Sequence, residues 1–267
     1  MTPEEVKQKI QKAMARFWWC PDSYTVVDRA ELGYVIDPTG VGNQVTRIDD
    51  QHPELEALVT EFSRAYQGSY NSVITFPEQN ATLFELLSRE GYRPTHRHDI
   101  RYQLLDRYTP REKTAIKTVI VQTREDLLRL LKTTPRAFGK PYVAEPEDSL
   151  LHMLKEYNTE KPRAIRVLGL EEGGEEEEYA LGAGGMSLFE DLKIATLFGG
   201  GTIPEARYRG VYSALVEARL QYAKERGMQA VGIYARHGTS APIVAKQGFV
   251  KCGEMHYWER NSSSEQN

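Results

Sequence analysis

Cysteine is scarce in this chain. Cys20 and Cys252 are its two thiols, and with six scattered histidines they offer no zinc-ligand spacing and no disulfide scaffold. Two reduced thiols are expected rather than one disulfide, and no metal site. Long apolar runs are missing too. The apolar part of the opening MTPEEVKQKIQKAMARFWWC is too short and interrupted for a signal peptide, and no later segment approaches a membrane span. A cytoplasmic location without a membrane partner is the resulting expectation. Neither charge dominates. A formal net charge of −4 gives no sign of a nucleic-acid partner.

What is present is the composition of a folded globular protein, 40% hydrophobic and 27% charged over 267 residues. That length suits one large domain or two ordinary ones and buries a substantial core without covalent staples. Apolar spacing predicts helices over 4–17, 54–66, around 83–88, from 124 behind a Thr123 N-cap, over 150–157, 211–226 and 241–246. Strands are expected at 24–27, 33–36, 72–76, 100–105, 118–122, 163–168, 179–187, 193–199, 231–234 and 254–258. The charged stretch around Pro110 reads as a linker, 135–146 as turns, and 171–178, six glutamates in eight positions, as a solvated hairpin tip. The polar tail 261–267 is expected to fray. The closing strand–helix–strand–helix–strand series is a three-layer α/β signature.

The two halves echo each other. Each ends in helix, strand, short helix, a glycine–aromatic step and a last strand: Gly91–Tyr92 in the first, Gly248–Phe249 in the second. Each glycine is expected to end its helix in a left-handed cap, with the aromatic packing back. The halves differ before the longer helix. The second half has Arg207-Tyr208-Arg209-Gly210-Val211-Tyr212-Ser213; the first has 43–53, without glycine and with Asp49 and Asp50. A helix start offers unpaired amides and the positive end of its dipole, a natural phosphate site. Gly210 allows close backbone approach, and guanidinium groups match phosphate geometry. Neither a Rossmann fingerprint nor a Walker loop is present here. The upstream Gly199, Gly200 and Gly201 suggest a bulged or splayed strand.

The stretch 202–215, TIPEARYRGVYSAL, resembles the central motif of the GCN5-related N-acetyltransferases, and 239–249, TSAPIVAKQGF, their closing helix and strand. Arg136-Ala137-Phe138-Gly139 resembles tandem members. The resemblance covers about 116–260. It implies an α/β fold of two such domains, each a mixed central sheet flanked by helices: a degenerate copy at 1–108, a linker at 109–115 and an acyl-CoA-binding domain at 116–260. It implies acetyl-CoA as co-substrate, with the pantetheine arm on Thr202 and Ile203 and the diphosphate on Arg207, Tyr208, Arg209, Gly210, Val211, Tyr212 and Ser213. Two departures stand out. Position 212 is tyrosine where the family has a small residue, and Val244 replaces a tyrosine that serves as general acid.

The expected reaction is direct attack by an amine, from a small molecule or a peptide, on the thioester. Candidate catalytic groups are Tyr212, Tyr234 and Tyr257 for the acid, and Glu190, Asp191 and His237 for the base. His256 reads as packing, and Cys252 has no Cys–His–acid partners in view. Trp18 and Trp19 are candidates for the junction between the halves, or ordinary core residues. A non-catalytic acyl-CoA sensor is the alternative, and monomer and homodimer both stay open.

Overall fold

A computed structural model describes residues 1–17, 20, 23–40, 42–110, 115–171 and 179–261. Trp18, Trp19, linker residues 111–114, most of the glutamate run (172–178) and the tail 262–267 lie outside the described residues. The chain forms two compact units: 1–100 with 235–243 and 251–267, and 101–234 with 244–250. The segment 116–260, expected as one domain, is thus divided between them.

In unit 1 the first helix, α1 (Pro3–Met14), starts on a capping box. The Glu5 amide donates to Thr2 Oγ1 at 3.2 Å and the Thr2 amide to Glu5 Oε2 at 2.7 Å. Val6, Ile10 and Ala13 form its buried stripe. Then come β1 (Thr25–Asp28), β2 (Leu32–Ile36), β3 (Asn43–Ile48), α2 (Leu55–Ala65), β4 (Asn71–Thr75), α3 (Ala81–Arg89) and β5 (Arg93–Leu104). The last strand of the chain, β11 (Val250–Arg260), joins this unit. It pairs antiparallel with β4, from His256↔Thr75 to Arg260↔Asn71. Arg260 closes the arrangement, donating to the carbonyls of Ser63 at 2.7 Å and Glu90 at 3.1 Å and lying over the Tyr92 ring. One core joins α2, α3 and the sheet through Val45, Phe62, Tyr66, Val73, Leu83, Leu87 and Tyr92.

Two strands of this unit were not legible. The segment 43–53, where no strand was expected, contains β3, which pairs with β2 and β4. Its Gln44, Thr46 and Arg47 mask the apolar Val45 and Ile48. β5 begins at Arg93 rather than near 100, because its first half is mostly exposed and polar.

Unit 2 holds β6 (Ile116–Ile120), α4 (Arg124–Ala137), α5 (Glu147–Tyr157), β7 (Ala164–Glu171), β8 (Gly182–Phe189), β9 (Ile194–Thr202), a 3-10 turn (Pro204–Ala206), α6 (Val211–Glu225) and β10 (Ala230–Arg236), the last counted here as far as Tyr234. The strand order is β10-β9-β8-β7-β6, with β10 parallel to β9 and the rest antiparallel. Thr123 caps α4 as expected, accepting from the Asp126 amide at 3.1 Å. The helix continues through Pro135 into the region read as turns, because a proline in the last turn disturbs few helical bonds. One more helix, α7 (Ser240–Lys246), precedes β11.

The repeated glycine–aromatic step is real in atomic terms. Gly91 and Gly248 have φ of +88° and +93°. The Tyr92 amide donates to the Leu87 carbonyl at 3.0 Å, and the Phe249 amide to that of Val244 at 3.2 Å. Both are the six-to-one bond of a left-handed helix end, and both aromatics are buried.

Candidate functional site

The site in unit 2 begins with glycines. Gly182, Gly184 and Gly185 on β8 face Gly199, Gly200 and Gly201 on β9 across one hairpin. The missing side chains of Gly182, Gly184 and Gly200 let α6 lie close. A Cβ on Gly182 would stand 2.8 Å from Val211, and one on Gly184 2.8 Å from the Arg219 guanidinium. The register slips between Ala183↔Gly201 and Gly185↔Phe198, so one residue of β8 opposes two of β9. This is a β-bulge, and Gly199 takes the left-handed conformation within it, φ +55°. The parallel ladder to β10 runs from Ala230↔Ile194 to Ile233↔Leu197 and stops where the bulge begins. Beyond it β9 continues to Thr202, whose buried hydroxyl has no hydrogen-bond partner among the described residues.

From Thr202 the chain turns through Ile203 and the 3-10 turn to the head of α6. Gly210, the N-cap, has φ +81° and puts no side chain on the first amides; the first turn holds no acidic residue. The amides of Val211, Tyr212 and Ser213 therefore meet no side-chain cap and no first-turn carboxylate among the described residues. Tyr208, fully exposed, is also left-handed at φ +67°. Arg209 pairs with Glu171, and Arg136 with Glu205 at 2.5 Å. The Glu205 carboxyl is held below its usual range by its own backbone amide and by Arg136. The Arg207 guanidinium is exposed and makes no hydrogen bond or ion pair among the described residues. One free guanidinium thus stands beside uncapped amides.

The structure brings Thr202, Ile203, 207–211 and Ser213 into one connected turn. Ser213 also ties the head of α6 to the closing helix, its Oγ accepting from Gln247 Nε2 at 2.9 Å. The Tyr212 ring packs toward β9. It lies 3.1 Å from where a Cβ of Gly200 would be, so glycine on β9 makes room for the bulk at position 212. Burial pushes its phenol up, opposed by the nearby Arg219 charge. Tyr212 is a packing residue here rather than an exposed acid. Tyr234 is the first β10 residue past the end of the β9 ladder and is partly exposed.

The proposed bases fare differently. Glu190 and Asp191 form the tight turn joining β8 to β9, next to the pair Phe189↔Ile194, whereas Thr202 pairs with Gly182 at the other end. The length of β8, roughly 3.3 Å per residue, separates them from the loop, so Glu190 does not serve this site. His237 belongs to unit 1, where its amide donates to the Arg97 carbonyl at 2.9 Å and its Nδ1 lies 3.4 Å from the buried Asp99. Tyr257 and His256 are likewise on β11 in unit 1. Cys20 and Cys252 are free thiols, both pushed up to about 11 by burial and so poor nucleophiles. Val244 is fully buried.

One residue escaped the sequence reading. Arg219, in the middle of α6, is 1% exposed and meets no carboxylate among the described residues. Its Nε donates to the Leu215 carbonyl at 2.8 Å and Nη1 to that of Gly185 at 2.9 Å, while Nη2 has no partner there. Burial depresses its pKa to about 10. A charged residue within an apolar helix stripe, opposite a glycine-rich strand, was the available signal. Phe138, half exposed, also reaches the site: its ring lies 3.2 Å from a Cβ placed on Gly201.

No family model and no curated protein matches the sequence. Solved structures do. A GCN5-related N-acetyltransferase from Kribbella flavida superposes at a TM-score of 0.63 and 14% identity, covering 96% of this chain and 93% of its own. The fold is that of the GCN5-related N-acetyltransferases. A tandem protein of this fold from the clavulanic acid biosynthesis pathway gives 0.62 at 11% identity, over 97% of this chain and 96% of that one. The C-terminal domain of a lysylphosphatidylglycerol synthetase from Agrobacterium fabrum gives 0.52 at 11%, over 98% and 92%. These superpositions cover 96–98% of this chain.

Proposed function

We propose that unit 2 binds an acyl-coenzyme A at the head of α6 and transfers its acyl group to an amine. One observation carries the reading: an uncapped helix start behind a left-handed Gly210, with Arg207 unpaired, stands where β9 has left its β10 partner. Amides and a guanidinium suit a diphosphate. The departing strand and the unpartnered Thr202 hydroxyl suit the amide-rich pantetheine arm.

In this reading the amine, from a small molecule or a peptide, attacks the thioester carbonyl as the neutral base. Its nitrogen gains the acyl carbon, the C–S bond breaks, and the amine proton passes to water or a base. A backbone amide of β9 past the bulge meets the oxyanion, and alignment of the two reactants supplies much of the rate. In this reading Tyr234, at the end of the β9–β10 ladder, protonates the departing thiolate. Acetyl is the acyl group expected from the fold's namesakes.

A second reading has one observation in its favour. Val244 cannot donate a proton and is sealed in the core, which suits an acyl-CoA-binding protein without turnover. Titration calorimetry with coenzyme A tests the shared part, and acetyl-CoA consumption with an amine panel separates the two. No coenzyme A binding, or equal binding by Gly210→Asp, overturns both.

A further inference from the structure

A cavity of about 290 Å3 lies in unit 1, away from any residue assigned above to coenzyme binding. Its size is near the lower end for small-molecule pockets. It opens on a polar face of the sheet. Ser72 on β4 and Glu259 on β11 are cross-strand partners. Tyr257 stands two residues from Glu259, and His96 two from His98 on β5, so each pair shares a face. Tyr70 completes the wall.

The charges are informative. Among the described residues, Glu259 is the one carboxylate lining the cavity, and no lysine or arginine lines it. The Tyr70 hydroxyl is within hydrogen-bonding reach of Glu259. His96 Nε2 is 3.8 Å from that carboxylate, too far for a hydrogen bond. On its other side His96 Nδ1 is 3.0 Å from Arg236 Nη2. Arginine only donates, so Nδ1 accepts in this contact. His98 is held neutral, its pKa depressed to about 4 by burial and by His96 and Arg236, against the pull of Asp99. Its ring packs on Tyr257 at 5.0 Å, and its buried Nδ1 has no partner among the described residues. A carboxylate without a full counter-charge, flanked by phenol rings and an open imidazole nitrogen, is a receptor for a cation that also donates hydrogen bonds.

We propose that this pocket binds a small organic ammonium ion, paired with Glu259 and resting against the Tyr70 and Tyr257 rings. The site stands independently of the coenzyme reading. The test follows the imidazole Cε1–H signals of His96 and His98 in the full chain by NMR during titration with butylamine hydrochloride, and in parallel with sodium butyrate. Butylamine should shift both signals saturably and butyrate should not. Glu259→Gln should weaken the amine by about tenfold or more. Absence of a saturable shift with butylamine, or an equal shift with butyrate, overturns the proposal; that comparison needs no variant. Offering the amine with acetyl-CoA then separates an acceptor, which is consumed, from an effector, which is not, and the site holds in either case.

Discussion

Arg219 donates to the Gly185 carbonyl from a position closed to solvent, without a carboxylate among the described residues to answer its charge. The side chain fills the space left by Gly184 and Gly200 between α6 and the sheet. A buried lone charge adds little stability, whereas its volume is needed. Arg219→Met should therefore stay within about 1 kcal/mol of the parent, and Arg219→Ala should lose roughly 3 kcal/mol, in the range of large-to-small core changes. Urea unfolding of the two variants checks this; equal losses would mean that the charge itself holds the fold.

Coenzyme A affinity should depend unequally on the two loop arginines. Arg207 makes no hydrogen bond or ion pair among the described residues and feels Glu205 only at longer range, whereas Glu171 pairs directly with Arg209. Arg207→Ala should weaken binding about tenfold, ~1.4 kcal/mol, and Arg209→Ala by less. Calorimetry at two salt concentrations should also show Arg207→Ala with the flatter salt dependence.

Tyr208 adopts a left-handed backbone in full exposure. Its side chain packs on nothing that would offset the strain, which costs about 1–2 kcal/mol for a residue with a Cβ. Tyr208→Gly should raise the unfolding free energy by about 0.5–1 kcal/mol, reduced by the added freedom of the unfolded chain. A stability loss instead would reveal a contact made by the ring.

Stability should fall in mild acid through His98. Its folded pKa, about 4, lies below the ordinary histidine value of 6.5. Between those values the unfolded chain binds more protons, so stability rises with pH there. The contribution is complete above about 6.5 and is lost as pH falls through 4, on the order of 1–2 kcal/mol after allowing for partial solvent screening. His98→Asn should flatten the slope of urea-unfolding free energy between pH 7 and 4.5.

Much of this arrangement was legible from local chemistry. The Thr123 cap, the Gly91 and Gly248 helix ends and the Arg207–Gly210 loop depend on residues near in sequence, so their signals survive without a fold. Pairing between distant segments left no such trace. β3 reads as polar because Gln44, Thr46 and Arg47 outnumber Val45 and Ile48, and only its pairing with β2 and β4 identifies it as a strand. Glu190 looked like a site residue until the hairpin register put it at the far turn. Arg219 gave a signal only once Gly184 and Gly200 were known to face it. The alliance of β11 with β4 follows from chain topology, which no run of side chains announces.

That alliance bears on how the protein is made. Residues 1–100 leave the ribosome early, but the sheet they form lacks a strand until 251–260 emerge, after all of unit 2. Until then β4 offers an unguarded edge, a surface prone to adopt a foreign strand. A chain cut after residue 249 would harm unit 1, and limited proteolysis of such a truncation should find residues 1–100 the more easily digested.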